Sequence, residues 1–119
     1  MMKSVELVEM LKQNGLTVSS VESFTGGLFA KTITDIPGAS KVFKGALVTY
    51  KDELKHLLAD VPLSTLGRFG AISKETALAM ARGGKAKLAT DICVSFTGNA
   101  GPEALENAPV GKTYIAIVY

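Results

Sequence analysis

Between a short β-type run, Thr17-Val18-Ser19-Ser20-Val21, and a helical stretch, Leu28 to Thr34, stand Glu22-Ser23-Phe24-Thr25-Gly26-Gly27. A chain that passes from strand to helix through paired glycines bends sharply there. Glycine reaches the left-handed backbone region at little steric cost and leaves neighbouring N–H groups uncovered. The segment thus commits the chain to a strand–turn–helix unit and puts a serine and a threonine at the end of a strand. The first turn of the following helix is expected to offer its N–H groups, with the positive end of the helix dipole, to an anion or a developing oxyanion. Ser23 stands where a nucleophile would have to stand. From the turn alone, a phosphate cradle and a catalytic turn are both open readings.

The remainder of the chain alternates helix and strand. Residues 2 to 14 carry Val5, Val8 and Leu11 on one helical face, with Leu7 beside them, and Asn14-Gly15 ends that helix. Asp35-Ile36-Pro37-Gly38 is a turn, and Val42 to Tyr50 is a strand rich in β-branched and aromatic residues. Lys51 to Ala59 is helical, with Leu54, Leu57 and Leu58 expected to face inward, and Val61 to Gly70 gives a short helix and turn. Ser73 is the N-cap of a helix that carries Ala77, Leu78, Met80, Ala81 and Leu88 at helical spacing. Gly83-Gly84 weakens that helix by about 1 kcal/mol per glycine against alanine, which predicts a close helix crossing at the pair. Asp91 to Thr97 is a third strand, Gly98 to Gly111 a long loop and Thr113 to Tyr119 a fourth strand.

This alternation in 119 residues predicts a single α/β domain, a layered sandwich with a largely parallel or mixed sheet flanked by helices. If the strands are parallel, their C-terminal ends share one edge, where open α/β sheets bind ligands. Those ends carry Ser23 with Thr25-Gly26-Gly27, then Thr49-Tyr50, then Thr97-Gly98-Asn99-Ala100-Gly101. Three polar or glycine-rich ends converging on one crevice are the sequence's own argument for a site.

Composition narrows what that site serves. A chain with 47% hydrophobic and 20% charged residues and a net charge of only +2 reads as a soluble globular protein without a nucleic-acid-binding face. Cys93 has no partner for an internal disulfide and sits in a strand pattern, as a core thiol does. There is no secretory leader pattern and no apolar run of about 20 residues, so a cytoplasmic protein with no membrane partner is expected. The sequence has no GxxxxGK and no GxGxxG. With His56 as the one histidine it has no HExxH, and a Ser-His-Asp triad is not expected. No serine is followed by lysine three positions later.

A serine nucleophile here needs a base from elsewhere. Lysine serves only when its amine is neutral, which takes burial or a nearby positive charge. Lys55 falls one helical turn beyond Tyr50 and is the candidate, although its spacing alone fits a surface lysine. Tyr50 reads either as a partner of the serine or as a strand-end aromatic. Asp52 reads as a helix N-terminal acid. Glu22 precedes the serine on the strand, so its side chain belongs on the opposite sheet face and, if buried, must be paired.

Taken together, five blocks resemble the CinA C-terminal domain family, named for competence and damage inducibility and also found as stand-alone nicotinamide mononucleotide deamidases. Glu22 to Gly27 is similar to the family's ESxTGG turn, Asp35 to Ser40 to its DxPGAS loop, and Gly45 to Tyr50 to its strand ending in TY. Phe69 to Glu75 is similar to hGAVSxE, and Thr97 to Pro102 with Pro109 to Tyr114 to TGIAGP…PVGTVY. The resemblance implies hydrolysis of the carboxamide of nicotinamide mononucleotide to nicotinic acid mononucleotide and ammonia, with no metal and no organic cofactor. It implies Ser23 as nucleophile, Lys55 and Tyr50 as its activating partners, and a substrate held by Glu22, Thr25, Gly26, Gly27, Asp52, Thr97, Gly98 and Gly101. A binding module of the same fold without turnover, or a competence- or damage-associated module, is the alternative.

The chain also departs from the family pattern. Phe24 replaces a frequent cysteine, Asp52 a common asparagine, and Glu103 to Ala108 lacks the usual glycines. Relatives are expected to continue past Tyr119 with a strand and a helix that brings an arginine to the ligand. Without them one sheet face is uncovered, which leads to the expectation of a homodimer.

Overall fold

The computed structural model describes residues 2–105 and 108–119, so the middle of the loop expected over Glu103 to Ala108 lies outside the described residues. Helix α1 (Met2–Asn14) leads into strand β1 (Val18–Glu22), and the glycine turn opens α2 (Leu28–Thr34). A single 3-10 turn (Ala39–Lys41) precedes β2 (Phe43–Val48), after which α3 (Asp52–Ala59), α4 (Leu63–Phe69) and α5 (Lys74–Leu88) follow in succession. Strand β3 (Ile92–Gly98) and strand β4 (Thr113–Val118) complete one sheet of order β2-β1-β3-β4. Strands β2, β1 and β3 run parallel, and β4 is antiparallel to β3, with Thr113 opposite Gly98. The expected α/β sandwich is therefore present with a mixed sheet.

Each sheet face has its own core, and the period-2 alternation of β1 separates them. Val18 joins Val8, Leu11, Ile33, Ala39 and Val42 beneath α1 and α2, whereas Val21 joins Ala59, Val61, Met80 and Cys93 on the face covered by α5. Cys93 is the buried thiol its strand pattern indicated. Helix α1 buries a narrower stripe than its sequence suggested: Val8 and Leu11 are in the core, but Val5 and Leu7 are exposed.

A sharper departure occurs in α3. Leu57 and Leu58, expected to face inward, are exposed, Leu54 is half-buried, and the buried residues are Lys55 and Ala59. These two lie four apart on one helical face. That face is constrained by contact, because a Cβ built on Gly83 would lie 1.6 Å from the Ala59 carbonyl oxygen. Gly84 is as tight, its Cβ falling 2.3 Å from Val21 Cγ2 and 2.8 Å from Cys93 Sγ. The glycine pair is thus the close crossing the sequence predicted, setting α5 against both α3 and the sheet.

Replacing Gly83 by alanine is expected to destabilise the domain by about 2 kcal/mol. Overpacking against a backbone oxygen sits at the upper end of its ~1–3 kcal/mol range, and the gain in helix propensity, ~1 kcal/mol, offsets only part of it. A urea unfolding midpoint measures this, and a G83A variant as stable as the parent would refute the crossing.

Helix α5 starts as expected, with Ser73 Oγ accepting from the Thr76 N–H at 3.1 Å. His56 Nδ1 donates to the Val61 carbonyl at 2.8 Å, a structural use of the one histidine. No helix among the described residues is long and apolar enough to cross a membrane.

Candidate active site

The parallel strands end together, and the crevice outside their ends is a cavity of about 310 Å³. That is the lower end of the size range for small-molecule sites. Seven of the sequence-indicated residues line it: Ser23, Tyr50, Asp52, Lys55, Thr97, Gly98 and Gly101. Glu22, Thr25, Gly26 and Gly27 do not, and the reason lies in the turn itself.

Successive residues of β1 point to opposite faces, so Glu22 turns toward α2 while Ser23 turns toward the crevice. Glu22 is fully buried and its carboxylate is saturated from within the chain. One oxygen accepts from Thr25 Oγ1 at 2.9 Å and from the Phe29 N–H at 3.0 Å, the other from Ser20 Oγ at 2.8 Å and from the Ala30 N–H at 3.0 Å. The expectation that the start of α2 presents free amides to an incoming anion is therefore corrected. Two of them are occupied by Glu22, whose negative charge already complements the helix terminus. The Leu28 N–H bonds Thr25 O, and the Gly26 N–H bonds Ser23 O. Gly26 and Gly27 serve the bend, with φ of 62° and 108°. Glu22 is a strut behind the serine rather than a ligand in front of it.

On the crevice side, Lys55 Nζ donates to Ser23 Oγ at 3.1 Å and to the Thr49 carbonyl at 2.9 Å. The lysine is 1% exposed, which settles the choice left open by its spacing: it is not a surface residue. Burial disfavours its ammonium and pulls its pKa below the ordinary lysine value, while the Asp52 carboxylate, 3.9 Å from Nζ, acts in the opposite direction. Asp52 itself is largely solvated, with 74% of its side chain exposed, so its restoring effect is screened. Tyr50 also lines the crevice but is 67% exposed, and among the described residues its hydroxyl makes no hydrogen bond. The structure brings Lys55 to the serine and leaves Tyr50 at the mouth.

The opposite wall was less visible in the sequence. Thr97 Oγ1 donates to the Ala71 carbonyl at 2.8 Å, and so ties the segment before α5 to the end of β3. This makes Ala71 and Ile72 part of the lining. Gly98 is required by proximity, since a Cβ there would stand 2.9 Å from the Lys112 carbonyl oxygen of the returning chain. Phe24, Asn99, Ala100 and Leu105 complete the lining. The amides of Phe24 and Ala100 make no hydrogen bond among the described residues. Among the described residues no cluster of three His, Cys, Asp or Glu side chains could hold a metal ion.

The model of the CinA C-terminal domain matches residues 2–119. The chain belongs to that family. The CinA domain described here is 45% identical over 112 residues to a Limosilactobacillus fermentum protein, covering 94% of this chain and 27% of that one. It is 48% identical over 115 residues to a CinA-like protein of Petrotoga mobilis, covering 94% of this chain and 28% of the relative. This CinA domain thus spans just over a quarter of the length of these curated relatives. Among solved structures, the competence/damage inducible protein CihA from Agrobacterium tumefaciens superposes with a TM-score of 0.92 at 37% identity, over 96% of this chain and 70% of that one.

Proposed function

We propose that this CinA domain is a serine amidohydrolase that removes the carboxamide nitrogen of nicotinamide mononucleotide as ammonia. The observation that carries the reading is the buried contact of 3.1 Å between Lys55 Nζ and Ser23 Oγ at the mouth-facing end of β1. A lysine made less basic by burial is the group able to take a serine proton near neutral pH. With Lys55 neutral, the hydroxyl donates to Nζ and Oγ attacks the carboxamide carbon. The negative charge that develops on the carbonyl oxygen is assigned to the unengaged amide of Phe24, directly after the nucleophile.

Collapse of that intermediate breaks the carbon–nitrogen bond. The proton held by Lys55 passes to the departing nitrogen, which leaves as ammonia, and an ester on Ser23 remains. Water then gives a proton to Lys55 and attacks the ester, and as the carbon–oxygen bond breaks Lys55 returns that proton to Ser23 Oγ, which releases nicotinic acid mononucleotide and restores the neutral amine. Phe24, Ile72 and Leu105 supply the apolar lining suited to a flat pyridine ring. Tyr50, exposed at the mouth with its hydroxyl unengaged, is assigned to the substrate rather than to Ser23. The test is ammonia release by wild type and by Ser23→Ala, with folding checked by circular dichroism.

A second reading, nucleotide binding without turnover, is favoured by Asp52. Its carboxylate lines the crevice and opposes the depression of the Lys55 pKa. Calorimetry that shows binding with no ammonia released would select it.

A further inference from the structure

Five hydrogen bonds converge on Asn99, the residue after β3. Its N–H donates to the Lys112 carbonyl at 2.9 Å, and its carbonyl accepts from the Gly111 N–H at 2.7 Å, closing the two ends of the loop. The side chain reaches into the loop it closes. Nδ2 donates to the carbonyls of Glu103 at 2.9 Å and Ala108 at 2.8 Å, and Oδ1 accepts from the Gly101 N–H at 2.9 Å. Both amide donors and one acceptor site are engaged, so the side chain has no donor left for a ligand. Asn99 is 9% exposed, and Ala108, which it holds, is fully buried.

The residues this clamp encloses matter to the crevice. Ala100, Gly101 and Leu105 form its loop wall. Leu105 and Ala108 also pair with each other through two backbone bonds, but Asn99 is what fastens that pair to the end of the sheet. A wall built from loop rather than strand keeps its shape only while such bonds hold. If they are lost, ordering it falls on the binding step.

We propose that Asn99 is a positioning residue: its side-chain clamp holds the Ala100, Gly101 and Leu105 wall in the substrate-ready shape and thereby sets affinity, not turnover. The identity of the substrate rests on the deamidase reading above; the clamp itself does not.

Asn99→Ser is the discriminating change, because a serine hydroxyl still accepts from the N–H two residues on while both long reaches are lost. The expected result is a KM for nicotinamide mononucleotide raised about tenfold with kcat within about twofold, the pattern of lost binding common to ground and transition states. Amide exchange at Leu105 and Ala108 should quicken at least about tenfold, as local opening becomes easier. Asn99→Asp, which sets a carboxylate against two carbonyls, should show the larger KM.

Faster exchange with an unchanged KM would overturn the proposal, leaving Asn99 a loop brace only. So would a fall in kcat at constant KM, or unchanged exchange. If wild type neither binds nor turns over nicotinamide mononucleotide, the deamidase reading fails. The exchange measurement then decides the clamp alone: retained protection refutes it and lost protection supports it.

Discussion

Lys55→Met is expected to lower kcat for ammonia release by about 1,000-fold while leaving the fold intact, since a positioned base contributes roughly 10²–10⁴-fold. Methionine fills most of the same buried space and removes a nitrogen whose charged form burial disfavours. Near neutral pH the variant should stay folded and lose no more than about 1–3 kcal/mol, because relief of the disfavoured charge is set against the Thr49 carbonyl left without its donor. The pH dependence follows the same logic. Turnover needs the neutral amine, so the rate should rise with pH through the lowered Lys55 pKa and level off above it.

Asp52→Asn removes the carboxylate that opposes this depression, and the rise should move to lower pH. For stability the sign is also fixed. Between the lowered folded pKa and the ordinary lysine value, the unfolded chain binds the extra proton, so Lys55 makes stability increase with pH in that window. Lys55→Met should flatten that slope, which thermal melts across pH would measure. A K55M enzyme with near-parental kcat, or a D52N profile shifted toward higher pH, would contradict the assignment of Lys55 as base.

Glu22→Gln carries the largest expected cost in stability. Each carboxylate oxygen of Glu22 accepts one hydroxyl and one backbone N–H. The hydroxyls of Ser20 and Thr25 can rotate to accept from a glutamine NH2 group, but the N–H of Phe29 or Ala30 cannot. Whichever way the amide is turned, one buried backbone donor meets another donor. An orphaned buried donor costs about 1–3 kcal/mol, and the lost negative charge at the start of α2 adds ~0.3–1 kcal/mol. A loss of about 3 kcal/mol is expected in denaturant unfolding. Ser23 hangs from the same turn, so kcat should fall as well. A Glu22→Gln protein that melts like the parent would show that the strut is dispensable.

Much of this is legible in the amino-acid sequence. The alternation of strand and helix predicted the sandwich, the parallel strand ends predicted the crevice, and Gly83-Gly84 predicted the tight crossing. The adjacency of Glu22 and Ser23 on a strand even predicted that they face opposite ways. What escaped has a common cause, in that local pattern does not report which group a neighbour already occupies. The amides at the start of α2 looked free because nothing in the spacing says that Glu22 folds back onto them. The α3 leucines looked like its buried face because apolarity outweighs a lysine in any periodicity argument. The face that packs is instead selected by the Ala59–Gly83 contact and carries Lys55 inward.

Ala71 and Ile72 precede a helix rather than end a strand, so the strand-end rule passed over them. The hydroxyl of Thr97 reaching the Ala71 carbonyl brings them in. Asn99 was legible as part of a strand end at the crevice, but not as the clamp of the loop that follows. Its five bonds depend on residues up to 13 positions away, a separation read from Lys112 and beyond the reach of local turn chemistry.

Whether the buried Ser23–Lys55 pair hydrolyses an amide is decided by ammonia release from nicotinamide mononucleotide, measured for wild type beside Ser23→Ala. The wild type should release ammonia, with a loss of at least about 1,000-fold in a folded S23A variant, because the covalent route disappears with the hydroxyl. Equal release by both proteins, or none from a folded wild type, would contradict it.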